Sequence, residues 1–168
     1  MIAAKPRGRP PSLVLWRGLT SVTYNNHRRV FEVITAKGPF AYPFAKAEPC
    51  PTSDDPIVEI YIDKELGCEG FVYKLASGAE GTLLLDQFFD YNREPEYMRD
   101  LLLYRLTLEA NRRLAASPLS RREIIRRLDT SPAQFNRLLD TTNYTKSIDG
   151  MLMLLQALDC EVEFVVKP

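Results

Sequence analysis

One stretch, Leu119 to Leu139 (LSRREIIRRLDTSPAQFNRLL), constrains the fold of this chain more than any other. Within it, Ser120 stands three residues before Glu123, and Ser131 stands three residues before Gln134. This is the capping-box spacing, in which a Ser side chain accepts a hydrogen bond from the backbone at the start of a helix and the later side chain returns one. The stretch therefore predicts two short helices joined by a tight turn.

The apolar residues of these helices predict which faces are buried. Helices of two or three turns are not stable alone, so the apolar positions must pack in a core: Ile124, Ile125, Leu128, Phe135, Leu138 and Leu139. Helical spacing then directs a second set of side chains outward from the second helix: Ala133, Asn136, Arg137 and Asp140, with Gln134 at the border of this face near the exposed N-terminal end. Asp129 falls in the turn, where a left-handed backbone is needed.

This pattern resembles the helix-turn-helix of the Xre/Cro-repressor family, in particular its compact antitoxin-type members. The match is carried by Ser120, Glu123, Leu128, Ser131, Gln134, Arg137 and Leu139, and it continues through Ser147–Leu158. Two positions depart from the family, because Ile125 stands where a small residue is usual and Asp129 where Gly is usual. A bulky Ile where the two helices cross is expected to widen the angle between them.

The resemblance implies that the second helix enters the major groove of double-stranded DNA. Gln, Asn and Arg side chains form paired hydrogen bonds with base edges, so we expect base contacts from Ala133, Gln134, Asn136 and Arg137. We expect phosphate contacts from Arg121, Ser131, Asn143, Tyr144 and Lys146, which are residue types that commonly bind phosphate. Two-helix units of this kind also serve as protein-interaction modules, so that reading stays open.

The charges of the chain are segregated although the net charge is zero. Residues 1–30 hold six basic and no acidic side chains, and residues 31–100 hold six basic and fourteen acidic ones. Between Arg105 and Lys146 there are nine basic and four acidic side chains. A concentration of positive charge on the arm and the two-helix unit is typical of a nucleic-acid binder, although charged helix faces are also common where a helix is merely solvated.

The basic N-terminal stretch Lys5–Pro11, KPRGRPP, resembles an AT-hook. In such a hook Arg7 and Arg9 would supply charge in the narrow minor groove, and the Gly between them would let the backbone lie deep. The alternative is a disordered basic tail. In either case we expect residues 1–28 to form an arm with little fixed structure.

The middle of the chain predicts a small antiparallel β domain over residues 29–92. Its expected strands are Val30–Ile34, Phe40–Phe44, Ile57–Ile62, Phe71–Leu75 and Thr82–Leu85, separated by loops rich in Gly, Pro and Asp. A long linking helix from Pro95 to about Ala116 opens a second domain, 93–168. The predicted fold class is therefore α+β, a small antiparallel β domain followed by a helical helix-turn-helix domain that ends in a strand.

The last stretch, Cys160–Val166, alternates apolar and acidic residues and predicts that terminal strand. A lone strand needs a partner, which we expect to be its copy in a homodimer or the preceding sheet. A two-fold dimer would bind a palindromic DNA site. The acidic middle favours an alternative function, an antitoxin-like module that binds a basic, toxin-like protein with or without DNA binding.

Several other classes of function find no support in the sequence. No apolar run is long enough to span a membrane, and the N-terminus lacks the apolar core of a secretory signal. Cys50, Cys68 and Cys160 form no metal-ligand spacing and suit a reducing cytoplasm. No phosphate-binding loop or catalytic motif occurs, so we expect neither an enzyme nor a cofactor; enzymatic chemistry of the loop carboxylates is the third hypothesis.

Overall fold

The computed structural model describes residues 18–65, 67–163 and 165. These residues form six β-strands, five α-helices and one short 3-10 helix, which confirms the predicted α+β class. The chain divides into two compact units, one ending at Met98 and the other beginning at Arg99. The division falls inside the long helix α2, Pro95–Ala116, C-terminal to the predicted boundary at residue 93.

The first unit contains two antiparallel sheets of three strands each. One has the order β1–β2–β3 and the other the order β4–β5–β6. The strands are β1 Ser21–Asn25, β2 Val30–Thr35, β3 Gly38–Pro43, β4 Ile57–Ile62, β5 Gly70–Leu75 and β6 Glu80–Leu84. Five of these lie where the alternating pattern predicts strands.

Strand β1 corrects the expectation of an arm without fixed structure over residues 1–28. It pairs with β2 from Ser21↔Ile34 to Asn25↔Val30, and Asn25 Oδ1 accepts a hydrogen bond from the Arg28 backbone in the hairpin turn at 3.0 Å. Arg28, the basic residue in the described part of this segment, lies in the turn, so it did not rule out a strand before it. The AT-hook-like stretch with Arg7 and Arg9 lies outside the described residues.

An aromatic cluster forms the core of this unit. Phe31 is fully buried, and its ring centroid lies 4.7 Å from Phe44, 5.4 Å from Phe71 and 4.9 Å from Tyr73. The Tyr73 hydroxyl donates to the Pro49 carbonyl at 2.5 Å, and burial raises the pKa of Tyr73 to about 12. Helix α1, Leu85–Tyr91, adds Phe88 and Phe89 to the buried set; this helix was not predicted from the sequence.

The second unit is helical and packs four helices around one core. These are α2 from residue 99 onward, α3 Arg121–Arg127, α4 Pro132–Leu139 and α5 Ile148–Ala157. The predicted inward residues are buried, with Ile125 only partly so: Ile124, Leu128, Phe135, Leu138 and Leu139 join Leu103, Ala110, Met151 and Leu154. The two-helix unit and the long helix therefore form where the sequence predicts them.

The terminal strand is not seen in the described residues. Residues 160–163 and Val165 have no regular secondary structure, and Phe164 and Val166 lie outside the described residues. Cys160 and Val162 pack instead against the helical core, so this segment buries apolar surface without a neighbouring strand. No helix in the described ranges is both long and apolar enough to cross a membrane.

Candidate nucleic-acid interface

Helix α3 begins with the predicted Ser cap and ends at the predicted left-handed residue, but the Glu123 side chain does not return the hydrogen bond of a full capping box. Ser120 Oγ accepts a hydrogen bond from the Glu123 backbone at 3.2 Å. The Glu123 carboxylate is held by the Arg126 guanidinium at 2.7 and 3.0 Å, and this hydrogen bond lowers the pKa of Glu123. Asp129 adopts the left-handed conformation that ends the helix, with φ of 49°.

Helix α4 begins with a second Ser cap. Ser131 Oγ accepts from the Gln134 backbone at 3.1 Å, and Pro132 occupies the first turn, where its missing N–H costs nothing. A hydroxyl that accepts with its oxygen keeps its own hydrogen available for donation. The Ser131 hydroxyl can therefore cap the helix and donate to a phosphate at the same time.

The outer face of α4 is exposed along its length. Gln134, Asn136 and Arg137, with Ala133 beside them, face solvent, whereas Phe135 is 1% exposed and Leu138 9%. Within the part of the chain that the structure describes, no carboxylate pairs with the Arg137 guanidinium. The four predicted base-contacting residues thus share one accessible surface, which we call the α4 outer face.

A cleft of about 320 Å³ runs beside this face, between α4 and the start of α5. It brings together four predicted site residues, Gln134, Arg137, Asn143 and Lys146. It also contains residues that were not predicted as site residues: Thr130, Thr145, Ser147, Gly150 and Met153. The predicted phosphate contact Arg121 lies elsewhere, on α3, with its guanidinium 6.0 Å from the centroid of the Phe135 ring.

Two predicted phosphate-binding residues of the 141–147 loop hold the end of α4. Asn143 Nδ2 donates to the Arg137 carbonyl at 3.2 Å. Lys146 Nζ donates to the Leu138 carbonyl at 3.0 Å and to the Asp140 carbonyl at 2.6 Å. Burial lowers the pKa of Lys146, and the nearby Asp140 carboxylate acts in the opposite direction.

Tyr144, the third predicted phosphate-binding residue of this loop, is half-buried. Burial raises its pKa to about 12, and the neighbouring Asp100 and Tyr104 add to the shift.

Polar side chains that follow a helix commonly turn back to it, because the last carbonyls of a helix have no partner within it. A phosphate contact by Asn143 or Lys146 stays a prediction, and it would require the side chain to share or leave its present partner.

Asn111 on α2 also holds the end of α4, a role that was not predicted from the sequence. Its Nδ2 donates to the Leu139 carbonyl of α4 at 3.0 Å and to the Thr107 carbonyl of its own helix at 2.9 Å. A signal was present in the sequence, since Asn111 borders the apolar stripe of α2 that is formed by Leu103, Leu106, Ala110 and Leu114. An amide at such a position needs hydrogen-bonding partners.

No group of three or more His, Cys, Asp or Glu side chains among the described residues is arranged to hold a metal ion. Comparison of the chain with protein-family models, curated proteins and solved structures gave no match. The resemblance to the Xre/Cro-repressor family therefore stays a prediction that rests on the residues named above.

Proposed function

We propose that this chain is a sequence-specific DNA-binding regulator of transcription that reads base edges with the α4 outer face. The observation that carries the proposal is the exposure of Gln134, Asn136 and Arg137 together on a helix capped at its start and held at its end. A rigid helix of this kind fits the major groove, which admits an α-helix.

Each exposed side chain of this face has a defined chemistry toward DNA. Arg forms a bidentate pair with guanine, and Asn or Gln forms one with adenine. Ser131 and Arg121, at the starts of α4 and α3, supply a hydroxyl and a guanidinium for phosphates. Two copies of the chain on a palindromic site would present two such faces to successive major grooves.

Selection of binding sites from random double-stranded DNA tests this proposal on the full chain. The selection is repeated at two salt concentrations, because phosphate contacts alone give affinity that falls with salt and carries no sequence information. We expect one short motif to be enriched at both concentrations. Binding without any enriched motif, or no binding at the lower salt concentration, would contradict sequence-specific recognition.

The acidic β unit favours a second candidate function, an antitoxin-like module. Residues 18–98 carry thirteen acidic and seven basic side chains, a net charge of −6, and Ile34, Val58 and Tyr61 are large exposed apolar residues of its strands. We propose a basic, toxin-like protein as the partner. Co-expression with a basic protein encoded by a neighbouring reading frame tests this, and the expected result is a complex that dissociates at high salt.

A further inference from the structure

The C-terminal end of α4 is held by three side chains from outside the helix. A helix leaves its last four carbonyls without partners inside it. In α4 three of these carbonyls accept hydrogen bonds from such side chains. The Arg137 carbonyl accepts from Asn143, the Leu138 carbonyl from Lys146 and the Leu139 carbonyl from Asn111. Lys146 also donates to the carbonyl of Asp140, the residue that directly follows α4. We call Asn111, Asn143 and Lys146 the α4 clamp.

The chemistry of the clamp suits its position. The C-terminal end of a helix carries partial negative charge, which an ammonium group stabilises, and charge-assisted hydrogen bonds such as those of Lys146 are stronger than neutral ones. Asn111 uses both hydrogens of its amide, one on α2 and one on α4. It therefore couples the orientation of α4 directly to the long helix of the same unit.

We propose that Asn111, Asn143 and Lys146 are positioning residues that fix the angle at which α4 presents its outer face, and that they thereby set DNA specificity without touching a base. This inference rests on the proposed function. Arg137 connects the two roles, because its side chain belongs to the outer face while its carbonyl accepts from Asn143.

The angle of α4 matters because bidentate base contacts tolerate little displacement. A binding constellation must be held within about 0.5 Å and about 10–20° of its productive geometry. Helix α4 has only eight residues, so it rises about 12 Å at about 1.5 Å per residue. A small tilt at its C-terminal end therefore moves Arg137 out of reach of a base more readily than it moves the N-terminal Ser131 away from a phosphate.

The chain contains a matched control for Asn111. Asn92 makes the same pair of contacts in the other unit, since its Nδ2 donates to the carbonyl four residues earlier, Phe88, at 2.8 Å and to Ala41 on a strand at 2.9 Å. Replacing Asn by Asp removes the donors and sets a carboxylate against two carbonyl oxygens at either position. Asn111→Asp and Asn92→Asp thus apply the same chemical change, but only the first acts on α4.

The first measurement is amide hydrogen exchange of the free full-length protein. In Asn111→Asp and in the milder Lys146→Met, the amides of Asn136 to Leu139 should exchange about tenfold faster, the factor that corresponds to the loss of a hydrogen bond worth about 1.4 kcal/mol. Asn92→Asp should leave these amides unchanged. Unchanged exchange in both clamp variants would overturn the clamp, whatever the chain does with DNA.

The second measurement is the ratio of affinities for the selected DNA site and for a scrambled duplex. We expect Asn111→Asp and Lys146→Met to lower this ratio about tenfold, and Lys146→Arg, which keeps charged donors, to restore most of it. In Asn111→Asp, whose position is not a predicted phosphate contact, affinity for the scrambled duplex should change less than about twofold. Faster exchange with an unchanged ratio would overturn the link to specificity.

Failure of the proposed function would look different from failure of the clamp. If the unmodified protein selects no DNA sequence, the proposed function and the specificity part of this inference both fall. The exchange rates then still decide whether the clamp holds α4.

Discussion

Arg137 differs from several other arginines of its unit in what surrounds it. Arg126 binds Glu123 at 2.7 Å, and Arg112 and Arg113 both bind Glu109, at 2.6 and 2.7 Å. The Arg137 guanidinium is exposed, and no carboxylate among the described residues pairs with it. It can therefore form a bidentate pair with a ligand without first breaking an ion pair.

The first prediction concerns Arg137→Ala. Loss of a bidentate contact with a base costs about 1–3 kcal/mol, so affinity for the selected site should fall by about tenfold to a hundredfold. Fluorescence anisotropy with a labelled duplex measures this. Arg28→Ala is the control, because within the described residues its exposed guanidinium pairs with Glu32 on the same hairpin, away from α4 in the sequence. Equal affinities of the two variants for the selected site would contradict a base contact by Arg137.

At the scale of single residues, the sequence could not predict which hydrogen-bonding partners the polar side chains choose. The sequence indicated that Asn143 and Lys146 follow α4 in a polar loop, and it left both available for phosphates. In the structure both turn back to carbonyls of α4, Asn143 to that of Arg137 and Lys146 to that of Leu138. A side chain in a loop has several partners within reach, and only the folded geometry decides among them.

At the scale of elements, the turn between α3 and α4 stores local strain. Asp129 has φ of 49°, a conformation that costs a residue with a Cβ roughly 1–2 kcal/mol and costs Gly much less. We predict that Asp129→Gly raises the free energy of unfolding by about 0.5–1 kcal/mol and that Asp129→Ala lowers it. Urea denaturation of both variants measures the free energy of unfolding. A change of the same sign and size in both variants would contradict strain at Asp129.

The end of α2 makes a prediction about acid stability. The Arg112 and Arg113 guanidinium groups bind the Glu109 carboxylate and lower its pKa to about 2. Because the pKa is lower in the folded state, this carboxylate contributes stability above its unfolded value of about 4.3 that is lost as the pH falls toward 2.

Urea denaturation between pH 2 and pH 6 tests the role of Glu109. The free energy of unfolding of Glu109→Gln should depend less steeply on pH in this window than that of the unmodified protein. Glu163→Gln, on the exposed C-terminal segment, serves as the matched control. Parallel pH profiles for the unmodified protein and Glu109→Gln would show that the ion pairs of α2 add nothing to stability.

Elements with strong local signals were predicted well, and two with weak signals were not. The Ser caps of α3 and α4 and the Pro that begins α2 lie where the sequence places them. Strand β1 and helix α1 were missed. The strand segment SVTYN is short and follows a basic stretch, and α1 begins at Leu85 directly after β6, so the apolar run of residues 83–85 crosses the junction of the two elements.

At the scale of the whole molecule, charge is distributed unevenly between the two units. Residues 18–98 carry a net charge of −6, whereas residues 99–163 carry ten basic and nine acidic side chains. Several of the acidic groups in the second range are paired internally, as Glu109 and Glu123 are. Exposed guanidinium groups such as Arg121 and Arg137 are therefore available, under the proposed function, to the negative charge of DNA.

Salt dependence tests this attraction. Each phosphate contact contributes about −0.9 to the slope of log affinity against log salt concentration. We predict that Arg121→Ala reduces the slope by about one unit for each bound chain and weakens the selected and scrambled duplexes alike. Arg28→Ala again serves as the control. An unchanged slope for Arg121→Ala would contradict its contact with phosphate.

Base preference at single positions tests most directly whether α4 reads DNA. Site selection with the unmodified protein, Arg137→Ala and Arg28→Ala gives a preference at each base pair of the motif. Recognition by the α4 outer face predicts that Arg137→Ala loses preference at one position and keeps it elsewhere, while Arg28→Ala matches the unmodified protein. Identical preferences for all three proteins would contradict recognition by α4.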